Sequence, residues 1–192
     1  VTGGGATGQA LIDSGIDMMF FTGSVATGKR VAEACGARLI PCVTELGGKA
    51  PAIVCPDADL ERTANALTWG GFANSGQVCA SVERVYVPES VHDELLDRVV
   101  KKTKTLRQLN PNSFTTDVGA ICFPRQIDVA QDLIEDAVNK GAKIRTGGAL
   151  KEGEDMFFQP TVLEGVTQDM RIVREEIFGP ILPFVKVKDV NE

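Results

Sequence analysis

The feature that most constrains the fold is an alternation. Short apolar runs of strand length alternate with apolar stripes at helical spacing, and glycine, proline, asparagine and serine mark the junctions. Met18-Met19-Phe20-Phe21 reads as a buried strand, and Thr22-Gly23-Ser24 breaks it before a helix that runs to about Ala34. Arg38 to Val43 is expected as a second strand and Ala50 to Cys55 as a third. Asp57-Ala58-Asp59 opens a helix to about Phe72, with its acidic residues at the positive end. Ser81 to Val87 follows as a strand, with Val85 and Val87 alternating against Arg84 and Tyr86. Val91, Leu95, Val99 and Leu106 predict a helix over 90–107, and Ile127 to Val138 predict another, closed by Gly141. Lys143–Thr146, Phe157–Leu163 and Ile181–Val187 are the last strands, the middle one an edge or irregular strand because of Pro160. Turns are expected at Asn110-Pro111-Asn112-Ser113 and Gly147-Gly148. Strands that alternate with helices in this way predict an α/β fold with a largely parallel sheet.

The 192 residues suffice for one large domain or two small ones, and 43% apolar with 24% charged residues is the balance of an ordinary globular chain. A formal net charge of -6 argues against a nucleic-acid partner, which needs a basic face. There is no run of about 20 apolar residues for a membrane span, and no basic segment with an apolar stretch opens the chain as a signal peptide would. The five cysteines include no C-x-x-C pair and the chain has one histidine, so no metal site is expected; free thiols fit a reducing cytoplasm. The chain starts at Val1-Thr2-Gly3 and stops after Val187-Lys188-Asp189-Val190-Asn191-Glu192, which reads as an internal slice of a longer enzyme or a trimmed domain.

Two glycine-rich stretches invite a phosphate. Gly3 to Gly8 has the form G-x-G-x-x-G, but only two residues precede it and no acidic residue follows at the required distance, so a turn into a helix over 6–14 is preferred. Gly23 to Gly28 resembles a shortened P-loop, yet Lys29 is followed by Arg30 rather than a hydroxyl residue. What remains is a strand-turn-helix whose Ser24 caps the helix, contacts an anion, or does both.

The chemistry is concentrated in Glu45-Leu46-Gly47-Gly48-Lys49 and Gly76-Gln77-Val78-Cys79. A thiol nucleophile and a nearby carboxylate base are the minimum for covalent catalysis through a thioester, and one fold-back of the chain would let them meet. Cys35, Cys42, Cys55 and Cys122 are expected as buried structural cysteines. His92, which a Cys/His hydrolase would need as its base, stands at a charged helix start where a solvated position is expected.

At these residues the chain resembles the aldehyde dehydrogenase superfamily, in order and over essentially its whole length. Phe21-Thr22-Gly23-Ser24 is similar to the family's cofactor-phosphate turn, Glu45 to Lys49 to its glutamate motif, and Phe72, Asn74, Gly76, Gln77 and Cys79 to its cysteine motif. Glu175-Glu176-Ile177-Phe178-Gly179-Pro180 is similar to its later cofactor motif. The resemblance implies a Rossmann-like open sheet with flanking helices. It also implies that residues 1–46 are the end of a cofactor-binding domain and residues 47–192 most of a catalytic domain. Cys79 is then the nucleophile and Glu45 the general base, while Gly23, Ser24, Leu46, Glu176 and Phe178 contact NAD or NADP. Glu176 would accept from the ribose beside nicotinamide, Phe178 would pack near the ring, and Glu175 is a surface charge pair. Asn74 and Gln77 shape the loop, and Val78 and Ala80 line the path of a small-molecule aldehyde. Partial burial of Glu45 would raise its basicity.

Family members that pass the acyl group to coenzyme A generally lack the glutamate, so Glu45 points to hydrolysis. The resemblance further implies a homo-oligomer, dimer or tetramer, of more than twice this length, and a segment inactive alone, while the cytoplasmic location rests on the free thiols. The alternatives are a non-catalytic remnant that kept the fold and an acyl-transferring enzyme.

Overall fold

The computed structural model describes residues 1–108 and 114–192, so the turn expected at Asn110 to Ser113 lies outside the described residues. The chain forms two compact units, Val1–Gly48 and Lys49–Glu192.

The first unit is a short helix followed by one strand-helix-strand passage: α1 (Gly5–Asp13), β1 (Met19–Thr22), α2 (Val25–Gly36) and β2 (Cys42–Glu45). The two strands are parallel and in register from Met19 opposite Cys42 to Thr22 opposite Glu45. Parallel pairing requires a crossover, and α2 supplies it, packing on both strands. Ser24 ends the turn after β1; its side-chain oxygen accepts from the Thr27 amide at 3.3 Å, the bond expected of an N-cap. Two expectations are corrected. Residues 38–41 are not strand: α2 ends at Gly36, and Leu39 turns the chain at φ 57° before β2 begins at Cys42. Nor is the first strand buried throughout, since Phe20 is 71% exposed; in a two-stranded sheet alternate side chains point away from the covering helix.

The second unit is a five-stranded sheet in the order β3-β4-β7-β6-β5, parallel except that β5 runs antiparallel to β6. Its elements are β3 (Ala50–Ile53), α3 (Leu60–Phe72), β4 (Val82–Pro88), α4 (Glu89–Thr103), α5 (Arg125–Asn139), β5 (Lys143–Thr146), β6 (Thr161–Glu164), α6 (Arg171–Arg174) and β7 (Ile181–Val187). Alternation along β7 shows how both faces are filled. Leu182 and Phe184 join Phe72, Leu95, Leu96 and Val99 of α3 and α4. Ile181 and Val185 join Leu133, Ile134 and Ile172 of α5 and α6. A parallel sheet covered on both faces makes its central strands apolar almost without interruption, which is why Ile181 to Val185 is continuously buried.

Asp59 caps α3, its carboxylate accepting from the Glu61 and Arg62 amides at 3.0 Å. Pro160 precedes β6 rather than interrupting it, so β6 pairs on both sides and is not an edge strand. α4 stops at Thr103, leaving Leu106 beyond the helix although still packed on the core. The one-turn helix α6 has no counterpart in the sequence reading. Among the described residues no helix is long and apolar enough to cross a membrane.

Arg107 and Asp117 bracket the stretch outside the description. Asp117 accepts from the Arg107 backbone amide at 2.8 Å and from its guanidinium at 2.8 and 2.9 Å. This guanidinium and the backbone bond hold the Asp117 carboxyl down at about 2. A depressed carboxyl contributes stability that is complete above its unfolded value near ~3.9 and is lost as pH falls through the folded value. Two outcomes are expected. Arg107→Ala returns the Asp117 titration, read by carboxyl NMR, toward the ordinary range; an unmoved titration contradicts the pairing. Phe184→Ala, emptying a fully buried position, lowers the unfolding free energy in urea by about 3–5 kcal/mol, and a loss below ~1 kcal/mol would show that Phe184 does not anchor the core.

Candidate active site

In the first unit the expected residues gather at the carboxyl ends of two parallel strands, where open α/β sheets place their ligands. Gly23 follows β1, and its amide donates to the Glu45 carbonyl at 3.1 Å. This bond ties the turn to the end of β2. A Cβ at Gly23 would lie 2.7 Å from the Phe21 ring, so the turn is tight against its own strand. Leu46 seats against α2 at Gly28, where a Cβ would come within 2.4 Å of the leucine. Gly23, Ser24, Glu45 and Leu46 therefore share one end of this unit. The Glu45 side chain is exposed in the described structure rather than partly buried.

In the second unit Cys79 stands at the end of an unusual turn between α3 and β4. Asn74, Ser75 and Gly76 have φ of 51°, 59° and 69°, three consecutive residues in the left-handed region. Two of them carry side chains, which costs strain that surrounding contacts must offset. Those contacts are explicit. The Ser75 hydroxyl donates to the Gly119 carbonyl at 2.8 Å. The Asn74 amide donates to the Gln77 carbonyl at 3.0 Å, and the Gln77 amide returns a bond to the Asn74 carbonyl at 3.0 Å. Gln77 also donates to the Ala120 carbonyl at 3.2 Å and accepts from the Cys122 amide at 2.8 Å. Asn74 and Gln77 thus shape the loop and fasten it to residues 119–122. Cys79 leaves the turn exposed.

Gly76 meets the other expected loop. A Cβ there would lie 2.1 Å from the Gly179 carbonyl oxygen and 2.5 Å from its carbon, so only glycine permits this backbone approach. Residues 175–180 connect α6 to β7. Phe178 takes φ 46° and is half-buried, as is Glu176. Glu175 pairs with Arg171 at 2.8 Å on the surface.

The sequence reading passed over the group that holds this loop. Glu83 in β4 is only 3% exposed. Its carboxylate accepts from the Ile177 amide at 2.9 and 3.0 Å, the Phe178 amide at 2.7 Å and the Lys49 ammonium at 2.9 Å. The signal was present in the strand's alternation: Glu83 shares parity with Val85 and Val87, so an acidic residue sat on an inward face. Burial pushes Lys49 below its ordinary pKa, against the upward pull of Glu83 and of nearby Glu176. Arg84 donates to the Lys49 carbonyl at 3.0 Å.

A cleft of about 630 Å³ opens beside Asn74, lined in part by Trp69, Phe72, Lys102, Leu106 and Val118. Val78 and Ala80 are exposed and do not line it. Two expectations are corrected, the burial of the four other cysteines and the solvated position of His92. Cys55 and Cys122 are exposed and Cys42 half-buried; of the four taken as buried, only Cys35 is. Cys55 follows β3, and Cys122 lies in the segment fastened to Gln77, both at loop surfaces. His92 is buried at 1% exposure rather than solvated. The spacing 92, 95, 96, 99 puts it on the apolar stripe of α4, edge-on to Phe184, with Nδ1 2.7 Å from Asp93 and, among the described residues, no partner on Nε2. Among the described residues, no three His, Cys, Asp or Glu side chains are grouped to hold a metal ion.

The family model described as "Aldehyde dehydrogenase family" matches residues 1–192. The chain belongs to the aldehyde dehydrogenase family. It is 41% identical to retinaldehyde dehydrogenase 3 of Homo sapiens over 195 residues, covering 100% of this chain and 38% of that protein. The NAD-dependent aldehyde dehydrogenase of Sinorhizobium meliloti superposes with a TM-score of 0.93 at 33% identity, over 97% of this chain and 38% of that one. An NADP-dependent enzyme of E. coli gives 0.94 at 31% identity, over 98% and 40%. The chain thus spans less than half the length of the relatives it matches.

Gly76→Ala is expected to destabilise this dehydrogenase-family chain by about 3 kcal/mol, since its Cβ meets backbone and its φ is strained. Gly28→Ala, whose Cβ meets the mobile end of Leu46, costs less. Equal losses in denaturant unfolding would contradict the backbone contact at Gly179.

Proposed function

We propose that the protein carrying this chain oxidises a small-molecule aldehyde to a carboxylic acid with NAD or NADP, through a covalent adduct on Cys79. The observation that carries the reading is the Cys79 turn. Two strained residues and a left-handed glycine, braced from residues 119–122 and by Gly179, present an exposed thiol, and the family match spans the whole chain. Strain that is overdetermined by its surroundings clusters at functional sites.

In this reading residues 1–46 belong to the cofactor-binding domain and residues 47–192 to the catalytic domain. The residues fit a dinucleotide by their chemistry. Gly23 and the N-cap Ser24 lead from a parallel strand into a helix, a place suited to phosphate. Leu46 offers an apolar contact beside them, Glu176 a carboxylate acceptor and Phe178 a ring. When bound, the cofactor supplies the hydride acceptor. The chain's own groups do the rest. The thiolate of Cys79 adds to the aldehyde carbon, and the resulting thiohemiacetal becomes a thioester once hydride has left. Glu45 takes a proton from water, the hydroxide adds to the thioester carbonyl, and the thiolate departs as the acid forms. Glu45 also favours water over coenzyme A as acyl acceptor. We further propose a cytoplasmic homo-oligomer, dimer or tetramer, for the whole protein, and no activity for residues 1–192 alone.

In the full-length protein, Cys79→Ser is expected to abolish aldehyde-dependent reduction of the cofactor; full activity would refute the mechanism. Glu45→Gln is expected to keep a pre-steady-state burst of reduced cofactor while steady turnover falls by about 10²-fold or more. An unchanged steady rate would remove Glu45 from the mechanism, and product formation that depends on added coenzyme A would replace hydrolysis by acyl transfer.

A further inference from the structure

Glu83 is a buried carboxylate that the reaction sequence above leaves unused. We propose that it is a positioning residue for the cofactor contacts Glu176 and Phe178, clamping the backbone of their loop from inside the sheet; the inference rests on the proposed function. The geometry is that of a clamp rather than a simple ion pair. Both carboxylate oxygens lie within 3.0 Å of the Ile177 amide, and one of them also takes the Phe178 amide at 2.7 Å. Two successive amides turned toward one anion fix the peptide planes between Glu176 and Phe178. That is the point where Phe178 must hold φ 46°. The ammonium of Lys49 closes the remaining side at 2.9 Å.

The clamp reaches beyond the loop. Glu83 is four residues after Cys79 on the strand that the cysteine turn feeds. Its neighbour Arg84 donates to the Lys49 carbonyl at 3.0 Å and to the Val173 carbonyl at 3.4 Å. Lys49 directly follows the Glu45 to Gly48 stretch in sequence. One pair of β4 residues therefore holds the start of β3 and the Glu176 loop. Gly76 against Gly179 then sets the cysteine turn on the far end of that loop.

A carboxylate is the group this place needs, because all three of its neighbours donate. A glutamine would offer one acceptor oxygen and turn an amide donor toward a backbone N–H or the ammonium. The charge-assisted bonds lost are of the stronger class.

The test uses the full-length protein with Glu83→Gln and Glu83→Asp, the second keeping the charge but drawing it back by one methylene. NAD+ and NADP+ affinity, cofactor and aldehyde KM, kcat and the alkylation rate of Cys79 without cofactor are measured beside a thermal melt. For Glu83→Gln the expected result is a folded protein whose cofactor dissociation constant rises about tenfold or more, with aldehyde KM and Cys79 alkylation within about twofold of the parent. Glu83→Asp is expected to fall between the two. A folded variant with unchanged cofactor affinity would overturn the proposal, as would failure of both variants to fold, which would make Glu83 a purely structural residue. An unsubstituted protein that neither binds cofactor nor oxidises any aldehyde would instead sink the proposed function itself.

Discussion

A carboxylate on the inward face of a central β-strand is costly unless donors surround it, and the second unit is arranged to surround Glu83. Two loop amides and a lysine converge on it from segments that are distant in sequence. Each donor would be exposed or unpaired without the carboxylate, and the carboxylate would be an uncompensated buried charge without them. The cost of burial is thus offset by fixing the start of β3, the strand β4 and the loop before β7 in one arrangement. An apolar residue in its place would pack as well but could not orient peptide groups.

The rest of the unit supplies a rigid frame for that arrangement. The sheet is covered on both faces, so its strands cannot slide without exposing either the α3–α4 or the α5–α6 core. The loops carrying the candidate chemistry leave or enter this frame at fixed points. The cysteine turn runs from the end of α3 into β4, and the Glu176 loop runs into β7, the next strand of the sheet. Their backbones touch at Gly76 and Gly179 with no room for a side chain. Strain at Ser75 and Phe178 is held by hydrogen bonds to Gly119 and Glu83 in other segments, and Asn74 is tied to Gln77, which is itself fastened to residues 120 and 122. The loop geometry is consequently a property of the folded unit and not of the local sequence.

This explains what the sequence reading reached and what it missed. Alternating patterns located the strands and long helices, because burial on one or both faces writes itself into periodicity. Pro160 was misread because proline's missing amide matters only inside a ladder, and the strand begins one residue later. Leu39 was misplaced in a strand because a left-handed turn residue is normally glycine or asparagine. His92 was judged by its charged neighbours although its own spacing put it on the buried stripe. Cys55 and Cys122 were assigned by residue type, which says nothing about which loop carries them. Glu83 escaped although its parity with Val85 and Val87 marked it as inward, because its donors at positions 49, 177 and 178 are a long-range set that the strand pattern does not announce. The candidate residues themselves came from resemblance to a family, and their roles rest on the proposal.

The claim at the centre of the account is that Cys79, one of three exposed cysteines, forms the covalent intermediate. The most direct measurement is acid quenching of the full-length protein during turnover of an aldehyde it oxidises, followed by proteolysis and mass mapping of its thiols. The account predicts an added acyl mass on the peptide that contains Cys79. An acyl group on Cys55 or Cys122 instead, or on no cysteine while the enzyme is turning over, would contradict it.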